Sequence, residues 1–282
     1  MLKMQKQDFK KAVASIETLH GNMAVLSRLS PMLKDPNSDI ENVARLVSSD
    51  SALAASIIRI SNSAFYASGA KVGDVPSALG KVGFNEALRL VGMALSKQVF
   101  MRDLEVYGVT ADVYWSESYF TGLFLEAIGR QLGLDPNDAY MVGLLHAIGK
   151  VVLNELVDPE QVEVYWDPTL KAEEWEEVMF GVHYDEAGSV LLEAWKFPEE
   201  IYKRVGDQLD ISAQRKDRIL GSLAFTRELI AFNDYDFDRE TWELPESHDF
   251  YVSCRISESI LASEIIRCRE DLADVRRTIQ GN

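Results

Sequence analysis

The sequence predicts an all-α protein, on three observations. Apolar residues recur at three- and four-residue spacings through most of its 282 residues. Helix-start signals punctuate the chain, and runs that alternate apolar and polar residues as a strand would are absent.

Phe9, Val13, Ile16 and Leu19 share one face of an expected first helix. Ser38-Asp39-Ile40-Glu41 reads as a capping box for a second, whose Ile40, Val43, Leu46 and Val47 point inward. Asp50 caps a third with the stripe Leu53, Ile57 and Ile60. Ser61 to Val75, rich in small and polar residues, reads as a loop. Pro76 suits the first turn of a short helix that Gly83 ends, and Asn85 starts another carrying Leu88, Val91, Leu95 and Val99. A long helix is expected from Thr110 to Leu132, and Asp135-Pro136 supplies a cap and a first-turn proline for the next. Further helices are expected over 171–180, 185–195, 198–208, 215–232 and 254–275, and Asn233 to Asp249 reads as a loop tethering the last of them.

Composition narrows the function classes. The formal net charge is −16, and between Glu155 and Asp210 there are 16 acidic against four basic residues, a balance of −12. Such a surface repels phosphate backbones, so nucleic-acid binding is not expected. The same segment is either a solubilising face or a docking surface for a basic partner. No run approaches the ~18 apolar residues of a membrane span, and the start lacks the apolar core of a signal peptide, so a cytoplasmic protein without membrane contact is expected. Lys3, Lys6, Lys10 and Lys11 read as a solvated helix end rather than a membrane anchor. Cys254 and Cys268 lie too far apart on one expected helix to bridge, and read as ordinary thiols. No Gly-rich phosphate loop, paired-cysteine zinc spacing or Ser-His-Asp motif occurs.

Six blocks stand in a fixed order: Asp50 to Tyr66, Ser77 to Phe84, Trp115-Ser-Glu-Ser118, Gly143-Leu-Leu-His-Ala-Ile-Gly-Lys150, Phe180-Gly-Val-His-Tyr-Asp-Glu-Ala-Gly188 and Trp195-Lys-Phe-Pro198. In order and spacing they closely resemble the HDOD domain, the HD-related output domain of bacterial signalling proteins, over about residues 15 to 212. The resemblance implies an N-terminal helical bundle (1–105) packed against an HD-like helical bundle with a C-terminal helical extension (106–282); the expected hinge is Met101 to Thr110, where polar residues and Gly108 interrupt the helical pattern. The resemblance also implies descent from metal-dependent phosphohydrolases. Against that pattern Glu117 stands where the first ligand histidine would be, Ala147 replaces the aspartate of the His-Asp pair, Tyr184 takes a frequent histidine position, and Ala224-Phe225 takes the place of Ala-Asp.

An imidazole supplies a lone pair and an adjacent carboxylate supplies charge, which together make the minimal grip on a divalent ion. Alanine supplies neither. The expected remnant is a vestigial cleft of Glu117, His146, Lys150, His183, Tyr184 and Asp185, with no catalytic residue, no cofactor and no metal. Were a metal held, Glu117, His146 and Asp185 would be its ligands. His146 is expected to hydrogen-bond Glu117 or a backbone carbonyl, Lys150 to be solvated, and Asp185 to cap a helix. Phe65 and Tyr66 are expected to pin their loop to the bundle. The reading is a non-catalytic signal-transduction module that binds a regulatory protein. Its rivals are a divergent metal-dependent phosphohydrolase and a nucleotide- or anion-binding module, and the oligomeric state stays open.

Overall fold

The structure is a computed structural model that describes residues 13, 20–63, 66, 70–83, 86–157, 165–166, 170–246 and 256–280. Among these residues helices are the only regular elements, and the one β-type contact is an isolated bridge between Leu104 and Val109. The fold class is all-α, as the periodicity predicts. Of the expected first helical stripe, Val13 is helical and fully buried. Phe9, Ile16, Leu19, the four N-terminal lysines, Phe65, Asn85 and Cys254 lie outside the described residues.

The N-terminal helices are α1 (His20–Lys34), α2 (Ile40–Ser48), α3 (Ser51–Ser61), α4 (Val75–Val82) and α5 (Ala87–Phe100). Asp50 and Asp74 cap α3 and α4 by accepting from Leu53 N at 2.9 Å and Ser77 N at 2.8 Å. The cap of α2 falls one residue later than expected. Asp39, not Ser38, accepts from Asn42 N at 2.9 Å. Asn62 closes the following loop: its amide donates to Val72 O at 2.8 Å while its carbonyl accepts from Val72 N at 2.9 Å. Tyr66 packs half-buried against the core.

The Met101 to Thr110 connection is pinned rather than loose. Leu104, Val106 and Tyr107 are buried around a 3₁₀ turn (Glu105–Tyr107), Val106 N donates to Asn154 Oδ1 at 3.1 Å, and Val106 O accepts from Trp166 N at 2.7 Å.

From there the chain builds α6 (Ala111–Leu132), α7 (Pro136–Leu145), α8 (Ile148–Glu155), α9 (Ala172–Met179), α10 (Tyr184–Ala194), α11 (Glu199–Asp207), α12 (Ile211–Lys216), α13 (Arg218–Phe232) and α14 (Glu258–Gln280). Helix α6 is the axis: α5, α7, α13 and α14 all pack on it, and it is buried on nearly every side. The single helix expected over 215–232 is divided. Asp217 ends the short α12 and caps α13, accepting from Ile219 N at 2.8 Å. The C-terminal helix lays Leu261, Ile265, Cys268, Leu272 and Val275 against the body of the molecule, the three- and four-residue spacing of one apolar stripe. The loop before it is held by Asn233, whose amide donates to Leu229 O and Glu243 O and whose carbonyl accepts from Glu243 N.

Several contacts tie the N-terminal helices to the rest, among them Lys34 of α1, which pairs with Asp138 of α7 at 2.6 Å. Arg89 of α5 reaches Glu86 at 3.2 Å, Glu126 of α6 at 3.4 Å and Asp271 of α14 at 3.1 Å. Tyr140 of α7 lies between α5 and α6: a Cβ on Gly92 would sit 2.4 Å from its hydroxyl, and one on Gly122 would crowd its ring at 3.2 Å. No helix is long and apolar enough to cross a membrane among the described residues.

Candidate functional site

Helices α7 and α8 are one run broken at His146 and Ala147, and the break aims the imidazole inward. The carbonyl groups freed there are taken up by side chains: Gln208 Nε2 donates to His146 O at 2.8 Å, and Tyr114 OH donates to Ala147 O at 3.1 Å. Ala147 is completely buried. The two glycines that flank the motif set the helix spacing. A Cβ on Gly143 would sit 2.6 Å from Thr121 O of α6, and one on Gly149 would overlap the Tyr184 carbonyl oxygen and sit 2.6 Å from Gly188 N of α10.

Glu117, His146, Lys150 and Tyr184 come together. His146 Nδ1 lies 2.7 Å from Gly143 O, and because a carbonyl only accepts, Nδ1 carries the proton and donates. Its Nε2 faces Glu117 Oε1 at 3.7 Å, beyond hydrogen-bonding reach, and Lys150 Nζ stands 3.9 Å from the same oxygen. The expected carbonyl partner of His146 is thus present, and the carboxylate is a near neighbour.

Lys150 is not the solvated residue expected of it. Its side chain is only 18% exposed and its ammonium lies 5.2 Å from the centre of the Tyr184 ring. The Arg227 guanidinium lies 5.7 Å from that ring and pairs with Glu173 at 3.1 Å. Burial pushes the Glu117 carboxyl up, but Lys150, His146 and Arg227 outweigh it and hold the group down at about 2. A carboxylate at this depth stays ionised because cations of the chain itself surround it.

Beside this cluster Glu176 is fully buried, accepting from Tyr107 OH at 2.7 Å and Tyr184 N at 2.9 Å. Burial pushes its carboxyl up to about 7, against those hydrogen bonds and the more distant Lys150.

Two predicted site residues stand differently. His183 is partly exposed and faces Glu177 at 3.6 Å. Asp185 does not cap α10: His183 occupies the cap position without a side-chain bond, and Asp185 sits in the first turn accepting from Glu186 N at 2.8 Å. An acidic residue there still complements the helix dipole.

Arg227, Glu173, Glu176, Tyr114 and Gln208 are part of the site and do not emerge from the motif. For Arg227 a signal exists, since it is a cation in the middle of a helix whose Leu220, Leu223, Phe225, Leu229 and Ile230 are buried. The hydroxyl of Tyr114 and the amide of Gln208 give no such sign, because their role is to satisfy a helix break.

The donor set does not fit a divalent ion. Glu117 and His146 offer two ligands, Asp185 does not join them, and among the described residues no group of three His, Cys, Asp or Glu side chains is placed to hold one. Lys150 already pairs with the one carboxylate that would anchor it.

The profile of the HDOD domain matches residues 22–210. The chain belongs to the HDOD domain family. An HDOD domain protein of unknown function from Geobacter sulfurreducens has the same fold, with a TM-score of 0.66 at 20% identity over 96% of this chain and 99% of that one. A protein from Marinobacter aquaeolei VT8, provisionally named for signal transduction, superposes with a TM-score of 0.71 at 18% identity over 97% of this chain and 65% of its own. A third, from Shewanella amazonensis SB2B and provisionally named a phosphohydrolase, gives a TM-score of 0.65 at 19% identity, covering 94% and 97%. In sequence the chain is 22% identical over 292 residues to a Treponema pallidum (strain Nichols) protein named only as uncharacterized, and spans 53% of that relative's length. The α13 and α14 helices of this HDOD chain lie beyond the matched residues, although Arg227 of α13 stands against the Tyr184 ring of the cluster.

Replacing His146 with alanine is expected to cost roughly 1–3 kcal/mol, through the lost Nδ1 hydrogen bond and the void left in a closed interior. Urea denaturation of the purified variant measures it. A midpoint equal to that of the parent protein would show the imidazole to be dispensable for the fold.

Proposed function

We propose that this chain is a non-catalytic regulatory module that acts by binding another protein. The observation that carries the reading is that the buried Glu117 carboxylate, at the position a hydrolase of this descent keeps for a metal ligand, is paired with Lys150 at 3.9 Å and lies in the field of Arg227. Hydrolysis of a phosphoester by that route needs a metal-activated water and charge stabilisation at the phosphoryl group. A lone imidazole with its Nδ1 committed to Gly143 O, beside a carboxylate held ionised by lysine and arginine, supplies neither.

The docking face we assign is the acidic segment, in narrowed form. Glu176 is buried and Glu173 is bound to Arg227, so the solvent-facing charge of α9 comes from Glu174 and Glu177, beside the 57% exposed Val178. Acidic residues around an apolar side chain suit a basic partner, whose approach they steer over roughly 8 Å at physiological salt.

The purified protein, supplied with manganese, iron or magnesium, is expected to leave a generic phosphodiester such as bis-p-nitrophenyl phosphate intact. Stoichiometric tight metal together with turnover abolished by Glu117→Gln would replace this reading with the enzyme. For a partner captured from the native cell, Glu174→Gln/Glu177→Gln is expected to slow association and flatten its salt dependence. An unchanged on-rate and salt slope would remove the docking role from α9.

A further inference from the structure

Helix α9 is attached in an unusual way. Among the described residues it lies along no neighbouring helix over any extended interface, whereas α6, α7, α10 and α11 are each packed against partners along their length. Glu173, Trp175 and Glu176 carry its main contacts to the body among the described residues. Glu173 pairs with Arg227. Trp175 meets Tyr107 and Phe180 edge-on, with ring centres 5.6 and 5.5 Å away. Glu176 joins two other elements, with the Tyr107 hydroxyl of the 3₁₀ turn on one oxygen and the first backbone N–H of α10 on the other. Among the described residues no cation stands within salt-bridge distance of Glu176, so this fully buried carboxyl is held by neutral donors alone.

We propose that α9 is a detachable latch on the Glu117–Lys150–Arg227 cluster, and that the buried carboxyl of Glu176 is the group on which its hold depends. Lifting α9 withdraws Glu173 from Arg227 and leaves the Lys150 and Arg227 cations beside Tyr184 without that carboxylate. The proposal goes beyond the regulatory reading and stands whether or not the cluster is catalytic.

The direction of control follows from burial. In water the Glu176 carboxyl ionises at its ordinary 4.5, and in the seated helix only at about 7. The seated state therefore binds the proton more tightly, so the hold is full below 4.5, weakens as pH rises toward 7 and is level above it. The neighbouring charges act on the same group. Lys150 of α8 favours the anion and Glu173 of α9 opposes it, while Tyr107 and Tyr184 N donate to the carboxylate. Arg227 of α13 is occupied by Glu173, and His183 and Glu177 face each other on the outer side. A separation of this size corresponds to a weakening on the order of a hundredfold across the window.

Hydrogen exchange on the full chain from pH 5 to 8, corrected for the intrinsic pH dependence of amide chemistry, tests the latch. Protection of residues 172–179 is expected to fall by between ten- and a hundredfold from pH 5 to 8 while that of α6 stays constant. Glu176→Gln, a neutral isostere, is expected to keep α9 as protected at pH 8 as the parent protein is at pH 5. Should that variant fail to fold, Tyr107→Phe, which removes one donor to the carboxylate, is expected to move the midpoint to higher pH. Constant α9 protection in the parent protein, a fall shared equally by α6, pH dependence surviving in Glu176→Gln, or an unmoved midpoint in Tyr107→Phe would each overturn the proposal.

Discussion

Gly149→Ala is expected to cost more than ~3 kcal/mol or to prevent folding outright. Overpacking a core with one methyl group usually costs about 1–3 kcal/mol, because flexible side chains give way. Here the added carbon would overlap the Tyr184 carbonyl oxygen and press on Gly188 N, so the backbones of α8 and α10 would have to separate. Gly80→Ala is the matching control: a methyl group added to that helical glycine would meet nothing within 4 Å, and the substitution is expected to be neutral or to stabilise by up to ~1 kcal/mol. Soluble yield and urea midpoints of the two variants decide the matter, and equal stability of Gly149→Ala and the parent would disprove the close approach.

Lys150→Met is expected to cost about 3 kcal/mol, because it leaves the Glu117 carboxylate buried with less compensation. Glu117→Gln in the same background is expected to restore most of the loss, since the charge needing a partner is then gone. The acid branch of stability separates this from simple loss of packing. With its carboxyl held down at about 2, Glu117 contributes stability that is present above its ordinary 4.5 and disappears as pH falls toward 2. That branch should flatten in Lys150→Met. If the double variant is no more stable than the single one, the ion pair is not what holds Lys150 in place.

Much of the fold is legible in the sequence because its signals are local. Asp50 and Asp135 cap helices through backbone N–H groups two or three residues away, and such geometry is complete within a single turn. The choice between Ser38 and Asp39 is less legible, as both can accept from a helix start. The short α12 is hidden for a related reason, since six residues ended by another capping aspartate leave little room for a period to show. That no carboxylate follows His146 is likewise visible at Ala147 without any structure.

The cleft is harder to read because its charges are assigned by contacts distant in sequence. Lys150 looks like a solvated residue until the Tyr184 ring is found beneath it, 34 positions along the chain. Counting charges treats the acids of α9 as equivalent, yet Glu176 is sealed inside, Glu173 is spent on Arg227, and Glu174 and Glu177 remain outside. Motif reading leads to His183 and Asp185, and tertiary packing brings in Arg227 and Glu176 instead.

The Tyr140 slot makes three separate positions a single evolutionary decision. Its walls, Gly92 and Gly122, belong to different helices, and its occupant comes from a third. A larger residue at Gly92 meets the Tyr140 hydroxyl and one at Gly122 crowds its ring, so either favours a smaller occupant, while a smaller occupant alone leaves a void between α5 and α6. Drift at these sites must therefore proceed by paired replacement, and a homologue that has lost the tyrosine should carry bulk at one of the two glycines.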